Sequence, residues 1–326
     1  MLLLIDGNNL AWAGYYGLER AMKPEDDERR RRVALLGLTS MILGSIARDG
    51  EPPGAPSTTP VTRVAICFDE GRPIRRRSIY PPYQTGREGD PKFIENEATI
   101  LGAVAEFSAM AADCLPVEVV RGTNTEADDL IAGVARLQPT APKRIVSTDR
   151  DFLQLVDAKL SVYAPVKKLV IDESNFDEVA APKTSSGEQI PFPRERYLDY
   201  RALTGDASDN LPGVIGLGPL SAAKMLRTAA LDTYFGKPEA VRAALERKSA
   251  AVEAAFADGS AEAIVGRNRT LMDLRLPAPC WDQIDELTTP GTWHRERFEG
   301  WFRAEKITAV EEATLFARLE SLAARG

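Results

Sequence analysis

Along this chain the apolar residues repeatedly gather into short continuous runs that end in an acid. Leu2 to Ile5 is such a run, followed at once by Asp6-Gly7-Asn8-Asn9. It predicts a buried parallel strand that delivers Asp6 at its C-terminal end, with a turn after it. Val64 to Phe68 closing on Asp69, and Arg144 to Thr148 closing on Asp149, repeat the pattern. In open parallel sheets ligands bind outside the carboxyl ends of the strands, so these acids are expected to converge on one crevice. Val33, Leu35, Leu36, Leu38, Ile42, Leu43 and Ile46 predict a largely buried helix over 33–47, and five prolines or glycines before Pro60 predict a surface loop over 49–60. Leu130, Ile131, Val134, Ala135 and Leu137 mark a helix opened by Thr125-Glu126-Ala127-Asp128-Asp129. There Thr125 is the expected N-cap and Asp128 stands at the capping-box position.

More acids stand at such junctions. Glu126 and Asp129 share a helix face at i,i+3 spacing. Asp149 and Asp151 share a side if that segment is extended, and Asp206 and Asp209 precede the glycine-rich stretch Gly213-Val214-Ile215-Gly216-Leu217-Gly218. Each block alone is also explained as a helix start or a surface turn. Together they are nine carboxylates, and like charges in one cleft must take up protons or cations. Mg2+ and Mn2+ accept a few carboxylates, keep several waters and suit phosphate substrates. The chemistry left by elimination is the same. His294 is the one histidine and lies far toward the C-terminus, so a His-rich zinc site or a Ser-His-Asp triad cannot be assembled in the ordinary way, and Cys67, Cys114 and Cys280 have no CxxC spacing. The glycine-rich stretch enters a helix from Pro219 through Leu226. Its free N–H groups can meet a phosphate, and its carbonyls can hold a monovalent cation.

Composition frames this chemistry. The 326 residues, 44% hydrophobic, suffice for a full core in one large domain or two closely joined ones. The start has no basic leader, and no apolar stretch approaches a membrane span, so a reduced cytoplasmic protein without membrane contact is expected. A net charge of -7 argues against a nucleic-acid partner only until the acids of one cleft, and the ions they would bind, are set aside.

Taken in order, LLIDGNN (3–9), FDEGRPIRR (68–76), YPPYQTGR (80–87), TEADDLIA (125–132), IVSTDRDFLQLV (145–156) and LTGDASDNLPGVIGLGPLSAAKML (203–226) resemble the 5' nuclease family. That family comprises phage flap endonucleases and the 5'-3' exonuclease domain of bacterial DNA polymerase I. The resemblance implies an α/β fold with a mostly parallel central sheet flanked by helices, PIN-like in kind. It also implies a nuclease core over 1–200, with a helical arch over about 72–106. A helical part over 201–326 would follow, with a helix-hairpin-helix-like DNA-binding element near 203–228. One metal group is implied at Asp6, Asp69, Glu126, Asp128 and Asp129, and a second at Asp149, Asp151, Asp206 and Asp209. Two or more Mg2+ or Mn2+ ions would then activate a water and stabilise the leaving oxygen. A potassium ion is implied on the backbone of Val214 and Gly216, and Gly213, Gly216, Gly218 and Lys224 would hold the duplex backbone without reading sequence.

In the arch, Arg72, Arg75, Arg76, Arg77, Arg87 and Lys92 supply positive charge, and Tyr80 and Tyr83 are expected as stacking surfaces. The family's lysine at the arch base is Gln84 here, so a fixed positive charge near the transition state is missing. Either Arg87, Arg75 or Arg76 replaces it or the enzyme is slower than its relatives, and replacement by an arginine is expected because all nine acids are intact. Glu25 to Arg32 reads as an insertion, and the segment 297–322 as helices packed on the nuclease. The implied activity is that of a free-standing nuclease, as in phages, acting as a monomer. It would cut DNA near 5' ends and flaps, and RNA/DNA hybrids, in primer removal and repair. A structure-specific DNA-binding protein with weak catalysis and a PIN-type ribonuclease are the alternatives.

Overall fold

The computed structural model of the chain describes residues 1–57 and 59–325. Six strands, β1 (Leu2–Asp6), β2 (Arg63–Glu70), β3 (Glu118–Thr123), β4 (Lys143–Val146), β5 (Leu160–Ala164) and β6 (Leu169–Ile171), enter the main sheet in turn. β7 (Gly205–Asp206) and β8 (Leu211–Pro212) form a separate ribbon, and β9 (Thr288–Pro290) returns to the main sheet, whose order is β6-β5-β4-β1-β2-β3-β9. The five central strands are parallel, while β6 and β9 lie antiparallel on the edges. Leu3, Leu4 and Ile5 are wholly buried at the sheet's centre, as a continuous apolar run requires when helices cover both faces. The register sets Asp6 opposite Cys67, so Asp69 stands two residues further along its strand, toward the same end of the sheet.

One face carries α1 (Gly7–Met22), α2 (Asp27–Ala47) and α5 (Pro91–Cys114); the short α3 (Ile74–Ile79) packs on α12 (Ser260–Met272) and α4 (Thr85–Glu88) on α5. The other face carries α6 (Ala127–Leu137), α7 (Phe176–Ala180), α8 (Tyr197–Thr204), α9 (Pro219–Thr228), α10 (Pro238–Leu245), α11 (Ala250–Ala257) and α12. The chain closes with α13 (Ile284–Leu287), α14 (Arg295–Ala304) and α15 (Glu312–Ala323). Phe298, Phe302, Leu315 and Leu319 share a core with Leu3, Ile5 and the apolar side of α2, as the packed C-terminal helices were expected to. β9 and these helices therefore cross the division expected at residue 200.

Three local expectations change. The turn after Asp6 is instead the first turn of α1, because an Asp6 side-chain oxygen accepts from the Asn9 N–H at 3.2 Å. Gly7 is needed there, since a Cβ would lie 2.3 Å from the Phe68 ring. The supposed insertion over 25–32 is the start of α2, capped by Asp26, and Arg29, Arg30 and Arg31 pair with Glu25, Glu95 and Glu106. The arch region, 72–106, folds as α3, α4 and most of α5. Among the described residues of 49–60 there is no helix or strand, and residue 58 lies outside the described residues.

Candidate metal centre and nucleic-acid interface

A cavity of about 520 Å³ opens at the carboxyl ends of β1, β2 and β4. Asp6, Asp69, Glu126, Asp128, Asp149 and Asp209 line it, beside Asn8, Asn9, Tyr83, Gln84 and Arg87. Asp129, Asp151 and Asp206 stand behind this wall. Asp151, Asp206 and Asp209 nevertheless bring carboxylate oxygens within 4.8 Å of one another. The predicted acids thus converge, six on the cavity and three as its backing.

Side chains adjoining the strand ends fix these carboxylates. Ser147 Oγ donates to Asp6 at 2.8 Å, and the Asn8 side-chain oxygen accepts from the Asp69 N–H at 3.2 Å. Asn9 accepts from the N–H and the hydroxyl of Thr148 at 2.9 and 2.7 Å, tying α1 to the end of β4. Sequence reasoning gave Asn8, Asn9 and Ser147 no role; paired amides directly after a strand-ending acid were the signal. α6 is not capped by Thr125. Its N-cap is Glu126 without a side-chain bond, and the free Ala127 N–H donates instead to Asp69 at 2.6 Å. Nor is 149–151 extended. Asp149 accepts from the Asp151 N–H at 2.7 Å, bending the chain into a 3-10 turn over Asp151–Leu155.

Crowding shows in the ionisation of the cluster. Burial, then the Asp69 charge, pushes the Asp6 carboxyl up to about 8. Burial raises Glu126 to about 7 against the pull of Arg76, and raises Asp151 to about 7 with help from Asp149. Burial and then Asp149 drive Asp128 well above the usual range, and burial also raises Asp69, Asp149 and Asp209. Asp206 is the exception. Burial opposes its charge, but hydrogen bonds from Ser208 and the Arg201 guanidinium hold it below the usual range. An all-oxygen donor set that keeps protons for want of positive charge fits a hard divalent cation.

The family profile described as "5'-3' exonuclease, N-terminal resolvase-like domain" matches residues 1–181. The chain belongs to this family. DNA polymerase I of Mycobacterium bovis is 30% identical over 308 residues, which are 92% of this chain and 30% of the relative. The thermostable DNA polymerase I of Thermus filiformis is 30% identical over 228 residues, 69% of this chain and 23% of the relative. The chain thus spans less than a third of the length of these curated relatives. The fold matches that of T5 5'-exonuclease with bound zinc ions, at a TM-score of 0.59 and 17% identity over 94% of this chain and 99% of that one. It also matches a bacteriophage T5 flap endonuclease pseudo-enzyme-product complex with DNA and metal ions, at 0.60 and 16% over 98% of each chain.

In this 5'-3' exonuclease family member the cations are not where sequence alone set them. Arg76 is buried. Its guanidinium meets Glu126, grips Asp129 at 2.8 and 3.0 Å, and donates to the Leu271 carbonyl at 2.9 Å. It anchors α3 to α6 and α12 and so is not free to replace the missing lysine. Arg201, which sequence reasoning missed, does likewise for the second group, meeting Asp151 at 2.6 Å and Asp206 from the last turn of α8. Arg87 pairs with Asp209 at 3.0 Å, is about a third exposed, and lines the cavity. Gln84 reaches the same wall, its amide donating to Glu126 at 2.9 Å and Asp209 at 3.1 Å. Tyr83 is no stacking surface, because it is buried with its hydroxyl donating toward Glu126 and Asp209 at 3.2 Å each. Tyr80 lies under Arg267, 4.4 Å from ring centroid to guanidinium. Arg72 pairs with Glu97, and Arg75 is half-buried beside it.

The glycine-rich turn joins the β7–β8 ribbon to α9. Gly213 serves packing, since a Cβ there would meet the Leu203 carbonyl at 2.4 Å. The Val214 N–H donates to that carbonyl at 2.9 Å, and the Val214 carbonyl accepts from Leu217 at 3.0 Å. Gly216 has φ of +77°, beside the exposed tip Ile215. Gly218 is the N-cap of α9, whose open N-terminus has no side-chain cap, and Lys224 lies 3.5 Å from Glu246.

Proposed function

We propose that this chain is a structure-specific 5' nuclease, a 5'-3' exonuclease and flap endonuclease that hydrolyses phosphodiester bonds near DNA 5' ends and flaps. The observation that carries this reading is the single cavity in which parallel-strand ends, α6 and the β7–β8 ribbon present six carboxylates together. Asp6, Asp69, Glu126, Asp128, Asp149 and Asp209 would hold Mg2+ or Mn2+, with Asp129, Asp151 and Asp206 supporting them. Bound there, two such ions would offset the cluster's charge and polarise a phosphodiester.

The chain's own residues perform the rest. Arg87 is the one predicted arginine on the cavity wall, so it is the candidate to donate to the scissile phosphate in place of the missing lysine. Gln84 adds a neutral amide donor beside it. Asn9 and Ser147 hold the Asp6 and Thr148 ends together, which keeps the carboxylate spacing fixed while substrate enters. The open N-terminus of α9, with Gly216, Gly218 and Lys224, would grip the duplex backbone, and the Val214 and Gly216 carbonyls would hold K+. RNA/DNA hybrids, action as a monomer, and service in primer removal and repair belong to the same reading.

A 5'-flap duplex labelled at its 5' end, incubated with Mg2+ or with EDTA and sized on a gel, tests it. A flap-length labelled product only with Mg2+ is expected, and short labelled products would indicate exonuclease action. Absence of any metal-dependent product would replace this reading with that of a binding protein.

A further inference from the structure

A second cavity, of about 430 Å³, lies beside the acid cavity, and Asp149 lines both. Its character is the opposite. Leu153, Val162, Ile171 and Val179 form its walls, with exposed Val166 and Tyr16 at its edge. Two cations, Arg150 and Lys167, also line it, and among the described residues neither has an ion-pair partner. Its Ser147 and Thr148 hydroxyls are already engaged, donating to Asp6 and to Asn9. Such a space suits a flat apolar ring that carries an anion.

Two further features point the same way. Tyr16, Trp12 and Phe93 form a row along α1 and the start of α5. Tyr16 and Trp12 are 5.8 Å apart between centroids, and Trp12 and Phe93 stack at 4.5 Å. Trp12 and Phe93 line the acid cavity and Tyr16 the apolar one, so an aromatic path joins the two. Gly17, inside α1 on the apolar cavity's wall, has nothing within 4 Å of where a Cβ would be. Glycine is among the poorest residues for a helix interior, and here no neighbour demands it. Its effect is to leave the cavity open.

We infer that the apolar cavity is a subsite for one unpaired nucleotide of a nucleic-acid strand whose neighbouring phosphate lies at the acid cavity. The base enters among Tyr16, Leu153, Val162 and Val166, and Arg150 and Lys167 take its phosphate. With Ser147 and Thr148 engaged and Arg150 and Lys167 given to the phosphate, the subsite holds the base by stacking and burial, independent of sequence. The inference deepens the nuclease reading and rests on it for the identity of the strand.

Its test is direct binding in EDTA, which keeps metal-held phosphate out of the acid cavity. The probe is 2-aminopurine 2'-deoxyriboside 5'-monophosphate, whose fluorescence falls on stacking, compared with 2-deoxyribose 5-phosphate as competitor. The unaltered protein is expected to quench the probe saturably, with the sugar phosphate competing poorly. Gly17→Leu fills the cavity, and Val166→Glu sets a negative charge at its mouth; each is expected to weaken binding about tenfold or more while the thermal melt is retained. Arg150→Ala with Lys167→Ala is expected to weaken the monophosphate but not the free nucleoside. No saturable quenching, quenching unchanged in both cavity variants, or equal competition by the sugar phosphate would each overturn the subsite. Because no cleavage is read, a protein that cuts flaps but fails here loses the subsite alone, and one that binds here but never cuts loses the nuclease reading instead.

Discussion

Asp6, Asp69 and Asp149 stand at or just beyond the ends of buried parallel strands, whereas Asp151, Asp206 and Asp209 come from a 3-10 turn and the two-stranded ribbon. The strand-end acids need little outside help: hydrogen bonds from Ser147, Ala127 and the turn at Asp151 fix them within the sheet layer. The second group sits on short elements with few regular backbone bonds, and Arg201 ties Asp151 to Asp206. Between them, Arg76 joins Glu126 and Asp129 to α3 and α12. Where the sheet supplies geometry, short hydrogen bonds hold the carboxylates; where it does not, an arginine ties them, and Glu126 and Asp151 still keep raised carboxyls because burial outweighs the arginine's pull.

The sharpest way to break this contrast is to remove the arginines. Arg76→Met leaves two buried carboxylates without their partner and is expected to destabilise the fold by about 3–5 kcal/mol in urea melts. Arg201→Met, at a less buried pair, should cost less. An equal cost for both would show that the two groups are held alike. Next in size, Asp149→Asn is expected to lower metal-dependent flap cleavage by about a hundredfold or more in single-turnover assays while leaving flap binding in place.

The crowding of the acids gives a pH dependence of definite sign. The carboxyls of Asp6, raised to about 8, and of Glu126 and Asp151, raised to about 7, hold protons in the folded state that the unfolded chain releases near pH 4. Between these limits the folded state binds more protons, so the stability of EDTA-treated protein should fall as pH rises from about 4 to about 8. Melts across that range with added Mg2+ should show a flatter slope, since metal displaces the protons. A metal-free stability that rises with pH would contradict the raised carboxyls. Smallest is the effect of Arg87→Ala, expected to slow cleavage about tenfold with an unchanged melt, because the residue is partly exposed and faces the cavity.

Much of this was legible because strand and acid alternate. Leu2 to Asp6 and Val64 to Asp69 could hardly be read otherwise, and the position of such acids follows from parallel-sheet geometry alone. α1 was not legible. It starts at Gly7-Asn8-Asn9, residues that favour turns, and only Asp6 as N-cap and the ring of Phe68 beneath Gly7 make a helix of them. The cap of α6 was hidden for a related reason: Asp69 lies 58 residues from the Ala127 N–H it accepts. Long-range pairing also explains the arginines. Arg76 looked like one of a run of arch cations, and nothing local marks it as the partner of acids about 50 residues away.

β9 has a consequence for how the molecule comes to be folded. Three residues ending in Pro290 lie antiparallel along β3, the edge of the sheet that carries Asp69's strand as its neighbour. Until that segment has been synthesised, β3 presents its open side to any passing strand, and the helices that complete the core over α2 do not yet exist. The central strands can therefore assemble early on the ribosome, but their exposed side is sealed only once β9 and the helices that follow it have emerged.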